Sequence, residues 1–469
     1  MSRAARDAAP GARRTPGRRA PHGARAARAL ATALAAAAAL ACAGGARAGE
    51  APADSALLRW LGASADSTEA WFGLSAARGD TAGLDSALAH ALLHPGARPR
   101  RRLPVTLAPQ AGFTRVDGPT YGGLLALGRA GERGGRLEGR LAYASGPNHW
   151  LGGAAWTRTV RRGERRWTLD LWAGRRTDGM DREFADVRLA QVRALLSGSD
   201  TRRYLRREGF TATLERAAPA WRASASFRDL AESPRAVTAT WNLLDRVPVV
   251  TGNLPAASAR VHELAYALGV RLPRVPVTLE AHHATSGDAL GSDLEYRRTR
   301  LTAGADLSLG RAASLVPQVV YGRLSGAPAP QAAFYLGGSR TLRSVEGSSL
   351  GGTGLALARV DLIGTGDLLA ALRIPHPAAF PVHGALFAGA GAVWGPDPYG
   401  GRTRPGLDWP HREEWRGEYG FSLMWRPGVP DPAGFLRMSI AWPAGRVHEG
   451  ARLSVTWARG LDLLRPFED

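Results

Sequence analysis

Lysine is absent from this chain; all 61 basic residues are arginine. Isoleucine (Ile363, Ile374, Ile440) and asparagine (Asn148, Asn242, Asn253) are nearly absent as well. The missing residues are those with AT-rich codons, so the formal charge of +20 reflects codon usage and argues weakly for nucleic acid. An arginine excess still suits anionic partners such as lipid headgroups. Cys42 is the single cysteine, which excludes a disulfide framework or a cysteine metal site within one chain. Mean hydropathy is −0.19 and one run approaches bilayer length, so a polytopic helical membrane protein is excluded. The 58 glycines and 31 prolines of 469 residues exclude an all-helical fold.

The apolar run sits at the N-terminus. Residues 3–28 carry eight arginines and one aspartate, residues 29–43 are mostly alanine and leucine, and Gly44-Gly45-Ala46-Arg47-Ala48 ends the run. A basic region, an apolar core and an A-x-A site mark residues 1–48 as a signal peptide for export. Cleavage after Ala48 would remove Cys42. The alternative is a lipoprotein anchored at Cys42, which Ala39-Leu40-Ala41 fits poorly. Residues 49–103 read as a short periplasmic helical segment and linker. Ser67–Arg78 and Thr81–His94 are split by Gly79-Asp80, Leu84, Leu88 and Leu92 share one face, and Pro95-Gly96 stops the second helix.

From Pro104 to Asp469 the hydrophobic period becomes two. Leu137, Gly139, Leu141 and Tyr143 oppose Arg136, Glu138 and Arg140; Leu301, Ala303 and Ala305 oppose Arg300, Thr302 and Asp306. The same alternation sets Trp221 and Phe227 against Arg222 and Arg228, Met438 and Ile440 against Arg437, and Leu453 and Val455 against Arg452. One face of each strand is apolar and the other carries charge. The runs last about 9–11 residues, the spanning length of a tilted membrane strand. Lipid leaves no partner for an open backbone edge, so residues 104–469 are expected to be an all-β, transmembrane antiparallel β-barrel. At about 22 residues per strand with its connection, the span holds ~16 strands. Eleven are expected to start near Tyr121, Gly135, Trp150, Arg165, Arg206, Pro219, Ala236, Val261, Val275, Tyr296 and Ala313. Five more are expected to end near Pro375, Trp394, Trp425, Trp442 and Trp457. Strand-end aromatics such as Tyr121, Trp150, Trp394 and Trp442 suit interfacial girdles. Two connections are long: 181–209, with an amphipathic helix stopping at Gly198, and a second from Gln331 past Gly352.

The second long connection carries a resemblance. Phe334-Tyr335-Leu336-Gly337-Gly338, followed by Arg343, resembles the loop signature of the bacterial surface antigen superfamily, the BamA/TamA outer-membrane assembly barrels. Thr114-Arg115-Val116-Asp117-Gly118, residues 386–394 and residues 419–425 resemble its flanking elements. The resemblance implies that the loop folds back into the barrel and that Arg343 meets acidic residues on the inner wall. The expected functional loop residues are therefore Phe334, Gly337, Gly338, Arg343 and Glu346. Here Ser344 and Val345 follow the arginine, and Gly389 and Ala371 stand at the acidic positions of the family. Asp361 or Glu346 must supply the counter-charge, or the tip is solvated. The family also implies an exported chain of the Gram-negative outer membrane. Its partners would be outer-membrane lipid and a protein or lipid client to be inserted or translocated, with no nucleic acid.

The expected lumen set is Arg136, Arg140, Arg222, Arg228, Arg300, Asp361, Arg437 and Arg452, which a passive porin-like channel would also have. An outer-membrane hydrolase is the third reading. Gly347-Ser348-Ser349-Leu350-Gly351 matches G-x-S-x-G, but lies in a loop rather than between strand and helix. His282 and His283 are adjacent and point to opposite faces of a strand, so they do not share a metal. The chain is read as a non-enzyme without cofactor or metal.

Overall fold

A computed structural model describes residues 104–129, 134–180, 187–198, 200–244, 253–254, 256–272, 275–327, 329–377, 381–398, 409–425, 434–445 and 450–459. The proposed signal peptide and helical segment lie outside them. No described helix is long and apolar enough to cross a membrane. The membrane is crossed by strands.

The wall is one antiparallel sheet of seventeen strands, of which β11 (Leu307–Leu309) is a three-residue piece paired to β12. The first nine are β1 (Val105–Thr114), β2 (Gly118–Gly128), β3 (Arg136–Ala144), β4 (His149–Arg162), β5 (Arg165–Gly179), β6 (Tyr204–Ala218), β7 (Trp221–Pro234), β8 (Ala259–Arg271) and β9 (Val277–Ser286). Then come β10 (Tyr296–Ala305), β12 (Ala313–Gly326), β15 (Gly354–Gly364), β16 (Val382–Trp394), β17 (Arg416–Trp425), β18 (Gly434–Ala444) and β19 (Arg452–Arg459). Each pairs with the next, up to β19. Among the described residues no register joins β19 to β1, so the barrel has a seam there. A two-stranded hairpin, β13 (Phe334–Leu336) with β14 (Leu350–Gly352), lies within the long connection between β12 and β15.

The alternation sets the two faces. Leu107, Leu268, Leu301, Leu386 and Leu453 are exposed on the outer face, where lipid replaces water. Tyr121, Tyr143 and Trp150 form an aromatic row on adjacent strands, with ring centroids 5.9 and 5.2 Å apart. Tyr419 stacks on Trp442 at 6.0 Å. Trp394 is buried beneath the exposed Trp409. Charged inner residues pair across strands: Arg228 with Glu263 at 2.8 Å, and Arg207 with Glu232 at 2.6 Å and Asp178 at 2.7 Å.

Three sequence expectations are corrected. The strand expected near Ala236 is an irregular segment, and β1, not anticipated, takes its place in the count. Thr238 and Ala239 donate to the Arg115 carbonyl at 2.9 and 3.0 Å instead of forming wall. The strand expected to end near Pro375 stops at Gly364, and a short helix α2 (Leu368–Ala371) follows, capped by the Asp367 side chain. Helix α1 (Val187–Ser197) does stop at Gly198, whose φ of 69° is left-handed and whose N–H reaches the Ala194 carbonyl. It is not amphipathic: Ala194 is buried, while Val192 and Leu196 are exposed.

The four longest connections, those after β5, β7, β12 and β16, lie at one rim and mostly shorter turns at the other, the asymmetry of outer-membrane barrels, whose long loops face outside. On the short-turn rim, Asp367 binds His376 and accepts from the Leu369 amide at 3.0 Å. The Ile374 carbonyl and then Asp367 raise the His376 pKa above 6.5. Burial opposes the shift at Asp367, but His376 and nearby amides hold its pKa below 3.8.

Two predictions follow from this geometry. Leu301→Arg, at mid-strand on the outer face, should cost about 2–4 kcal/mol in unfolding from lipid vesicles; an unchanged midpoint would place that face in water. Protection of the Leu369 amide should be highest between the two pKa values. It should fall as pH rises through the raised His376 pKa, and again as pH drops through the lowered Asp367 pKa. Hydrogen-exchange protection factors check both limbs.

Candidate functional site

The connection from β12 to β15 turns into the barrel because its own side chains are apolar at the right places. Phe334, Leu336 and Leu342 are fully buried, packed with Val320, Leu324, Leu355 and Leu357 of the wall. Gly322 makes the room: a Cβ there would stand 2.7 Å from the Phe334 ring. The Arg298 guanidinium lies 4.2 Å over the same ring. Gly337 has φ of 120°, and a Cβ would lie 1.9 Å from the Glu346 carbonyl oxygen, so only glycine lets this turn close. Gly338 follows with φ of 101° and donates to the carbonyls of Leu342 and Val345 at 3.0 Å. The Gly337 amide donates to Thr341 Oγ1 at 2.8 Å.

This turn presents Arg343 to the wall. The residue is only 5% exposed, and its Nη2 meets Asp361 Oδ1 at 3.2 Å. Its guanidinium lies 4.0 Å over the Phe387 ring. Asp361 is completely buried on β15 and also receives Arg437 of β18 and, at 3.8 Å, Arg359 of β15. Arg359 donates back to the Arg340 and Thr341 carbonyls of the loop. Glu418 of β17 accepts the Ser344 amide at 2.7 Å. Arg437 Nε donates to Ser422 Oγ at 3.0 Å. Three guanidinium groups thus converge on one carboxylate, with Glu418 the second anion near the tip. Removing Asp361 would leave buried like charges facing one another.

Of the alternatives open in the sequence, Asp361 faces Arg343, and the tip is not solvated. Glu346 instead meets Arg452 at 3.5 Å. Ala371 lies on α2, beyond the end of β15 and outside the strand ladder, so it does not hold the place of an acidic wall residue. At Gly389 a Cβ would sit 3.2 Å from Arg359 Cγ and 3.4 Å from Leu342 Cδ2, so the loop and Arg359 fill the space of a side chain. Register puts Arg359 beside Gly389 and Asp361 beside Phe387, so the carboxylate is supplied from the neighbouring strand. Sequence reasoning missed Arg359, Phe387 and Glu418. The legible signal was Arg359-x-Asp361, two charges on one face of a strand.

The other lumen residues stand apart from this cluster. Arg136 and Arg140 both pair with Glu138, at 2.8 and 2.9 Å, and Arg222 pairs with Glu280. Arg300 is buried on β10. His283 contacts Thr299 Oγ1 at 2.9 Å across β9 and β10, not a serine of the 347–351 loop.

At the seam, α1 packs against both β1 and β19. Phe113 of β1 is buried with Ala194 of α1 and Ala239, and Trp241 meets the Phe113 ring edge-on at 5.2 Å. The loop-rim end of β1 is thus packed, through Phe113 and the Arg115 carbonyl, by α1 and the 238–241 segment. Leu243 and Leu244 amides donate to the Leu195 and Leu196 carbonyls and tie the two covers together.

Residues 275–454, which include β9 to β18 and the Arg343 loop, match the Omp85 superfamily domain. This part of the wall is similar to an Omp85 domain. No curated protein matches the chain. Among solved structures, BamA from Haemophilus ducreyi lacking POTRA domains 1-3 aligns with 76% of this chain and 71% of its own, at 12% identity and a TM-score of 0.47. CdiB from Acinetobacter baumannii aligns over 76% of this chain and 59% of its own, at 11% identity and a TM-score of 0.39. OprD from Pseudomonas aeruginosa gives 76%, 91%, 13% and 0.35 in the same order. The Omp85 match and the strand architecture make this an outer-membrane β-barrel.

Asp361→Ala should release the inward loop. A buried pair broken on one side costs about 3–5 kcal/mol, so limited proteolysis should cut within residues 334–348 where the parent resists. Equal resistance would show that apolar packing alone holds the loop.

Proposed function

We propose that this barrel inserts or translocates a protein or lipid client at the outer membrane, working at the seam between β1 and β19. The observation that carries the reading is that β1 has no strand register with β19 among the described residues, while its loop-rim end is packed by α1 and the 238–241 segment. An unpaired strand edge is a template for another strand, and hydrocarbon makes it costly to leave bare. A cover of one short helix and a few backbone hydrogen bonds is cheaper to move than a full strand ladder. The Omp85 similarity supports the reading, because the superfamily is one of assembly and translocation barrels. Arg343 has a positioning role in it: the buried cluster fixes the inward loop against β15 to β18, so the wall beside the seam stays rigid while the cover moves. Paired lumen arginines and interlocked rim loops speak against a wide passive pore.

The test locks the cover. Phe113→Cys with Ala194→Cys, in a Cys42→Ser background, is bridged by a short reducible crosslinker. Vesicles holding the bridged protein should fail to insert a urea-unfolded small barrel protein, and reductant should restore insertion. Full insertion by the bridged protein, or a large steady conductance in planar bilayers as its sole activity, would contradict the reading.

A further inference from the structure

At the short-turn rim, β4 to β6 carry arginine on both faces, and the two faces treat it differently. The hairpin of β4 and β5 reads Arg161-Arg162-Gly163-Glu164-Arg165-Arg166. On the inner face, Arg166 meets Glu215 of β6 at 3.2 Å. On the outer face, Arg162 stands directly opposite Arg165, and Arg216 and Arg158 lie on the next rows up the wall. Alternation puts these four on the same side as Val160, Trp167, Leu214 and Leu268, which are exposed on the lipid-facing wall.

None of the four outer arginines meets a carboxylate among the described residues. Arg158, Arg162 and Arg165 are exposed and make no hydrogen bond or ion pair there. Arg216 lies 4.9 Å over the Trp167 ring and 5.2 Å over the Trp221 ring, and its buried Nε has no hydrogen-bond partner. The one acid of the turn, Glu164, is exposed and likewise unpaired. Like charges directly opposite on one face of an antiparallel pair are destabilising. An anion bound between Arg162 and Arg165 therefore stabilises the hairpin as well as itself.

The patch sits at headgroup depth. Trp150 belongs to the aromatic row at the other end of β4. From Trp150 to Arg162 the strand descends about 30 Å, at a rise of about 3.3 Å per residue and a tilt of about 40°. That crosses the apolar band of about 25 Å. Arg158 lies about 10 Å short of Arg162 by the same geometry, near enough for a long side chain to bend its head toward the rim. Long loops face outside, so this rim lies in the periplasmic leaflet.

We propose that this patch binds an anionic phospholipid of the periplasmic leaflet. Arg162, Arg165 and Arg216 hold its phosphodiester through charge-assisted hydrogen bonds, Arg158 adds a fourth positive charge, and the acyl chains lie on Leu214 and Leu171. A zwitterionic headgroup would bring an ammonium among four guanidinium groups with Glu164 as its sole counter-charge. The Trp167 and Trp221 rings, which could otherwise hold that ammonium, are engaged by Arg216. The patch therefore selects a headgroup whose phosphate has no cation of its own. A soluble anion or an acidic protein would gain the charges but leave the adjoining leucines without a partner. This site stands independently of the seam.

The test uses the full chain in phosphatidylcholine nanodiscs doped equally with phosphatidylglycerol and phosphatidylethanolamine, and native mass spectrometry counts retained lipid. The parent should retain phosphatidylglycerol preferentially. Arg216→Gln should lower that retention about tenfold, the scale of one lost charge-assisted contact. Arg162→Gln with Arg165→Gln should erase the preference. Arg297→Gln, the same charge change on the outer wall near the opposite rim, should leave it intact; heat-modified gel mobility verifies that all variants are folded. Equal retention of the two lipids by the parent, or an undiminished preference in the folded patch variants, would overturn the proposal. So would an equal loss in Arg297→Gln, which would trace the preference to net charge alone. Displacement of the phosphatidylglycerol by soluble glycerol phosphate at matching concentration would overturn the lipid source, and displacement by a soluble acidic peptide would assign the patch to a protein partner instead.

Discussion

Hydrocarbon cannot hydrogen-bond a peptide group, and the rest of the structure depends on that. Every spanning segment must therefore find its backbone partners in its neighbours. The strand ladder from β1 to β19 meets the requirement pair by pair. The side-chain pattern follows from the ladder: a strand hydrogen-bonded on both edges can only vary its two faces, one toward lipid and one toward the lumen. At the two terminal strands the requirement is met differently. The loop-rim end of β1 is covered by a helix and an irregular segment, and this exception is where function is proposed.

Inside the wall a second constraint operates. Guanidinium groups are the only permanently charged basic side chains available to a chain without lysine. They are bulky, always charged and multivalent donors, so each needs carboxylate or carbonyl partners once it is out of water. Glu138 serves two of them, and Asp361 serves three. Sharing acids in this way makes the inner wall a set of interlocked pairs in which one carboxylate holds several elements. The Asp361 cluster is the extreme case: it ties the inward loop to β15 and β18 with one buried side chain.

Much of this was legible from residues. Period-two alternation gave the wall and its lipid face, because burial in lipid leaves little freedom to the outer positions; the strand number came from the length of the span, with the false strand near Ala236 offsetting the missed β1. The inward loop was legible through Phe334, the glycine pair and Arg343, although the sequence left the partner of Arg343 open. Choosing Asp361 over Glu346 requires register, which places Asp361 beneath the loop tip and Glu346 beside Arg452. β1 was hidden because Ala108-Pro109-Gln110 breaks its alternation. A proline is tolerated there because the strand lies at the edge of the sheet. The false strand near Ala236 shows the converse error: a short alternating run was held by Arg115 and Phe113 as a cover instead of joining the wall. The Omp85 match covers the β9 to β18 side of the wall, where the loop signature lies.

The account stands on lipid outside and a polar interior, and fluorescence quenching along one strand measures that directly. Single cysteines at Thr299, Arg300, Leu301, Thr302 and Ala303 of β10, in a Cys42→Ser background, would each carry an environment-sensitive dye in vesicles. The account predicts that a bilayer-embedded quencher acts on positions 299, 301 and 303 and spares 300 and 302. Uniform quenching along the strand, or quenching by an aqueous agent at 301, would contradict it.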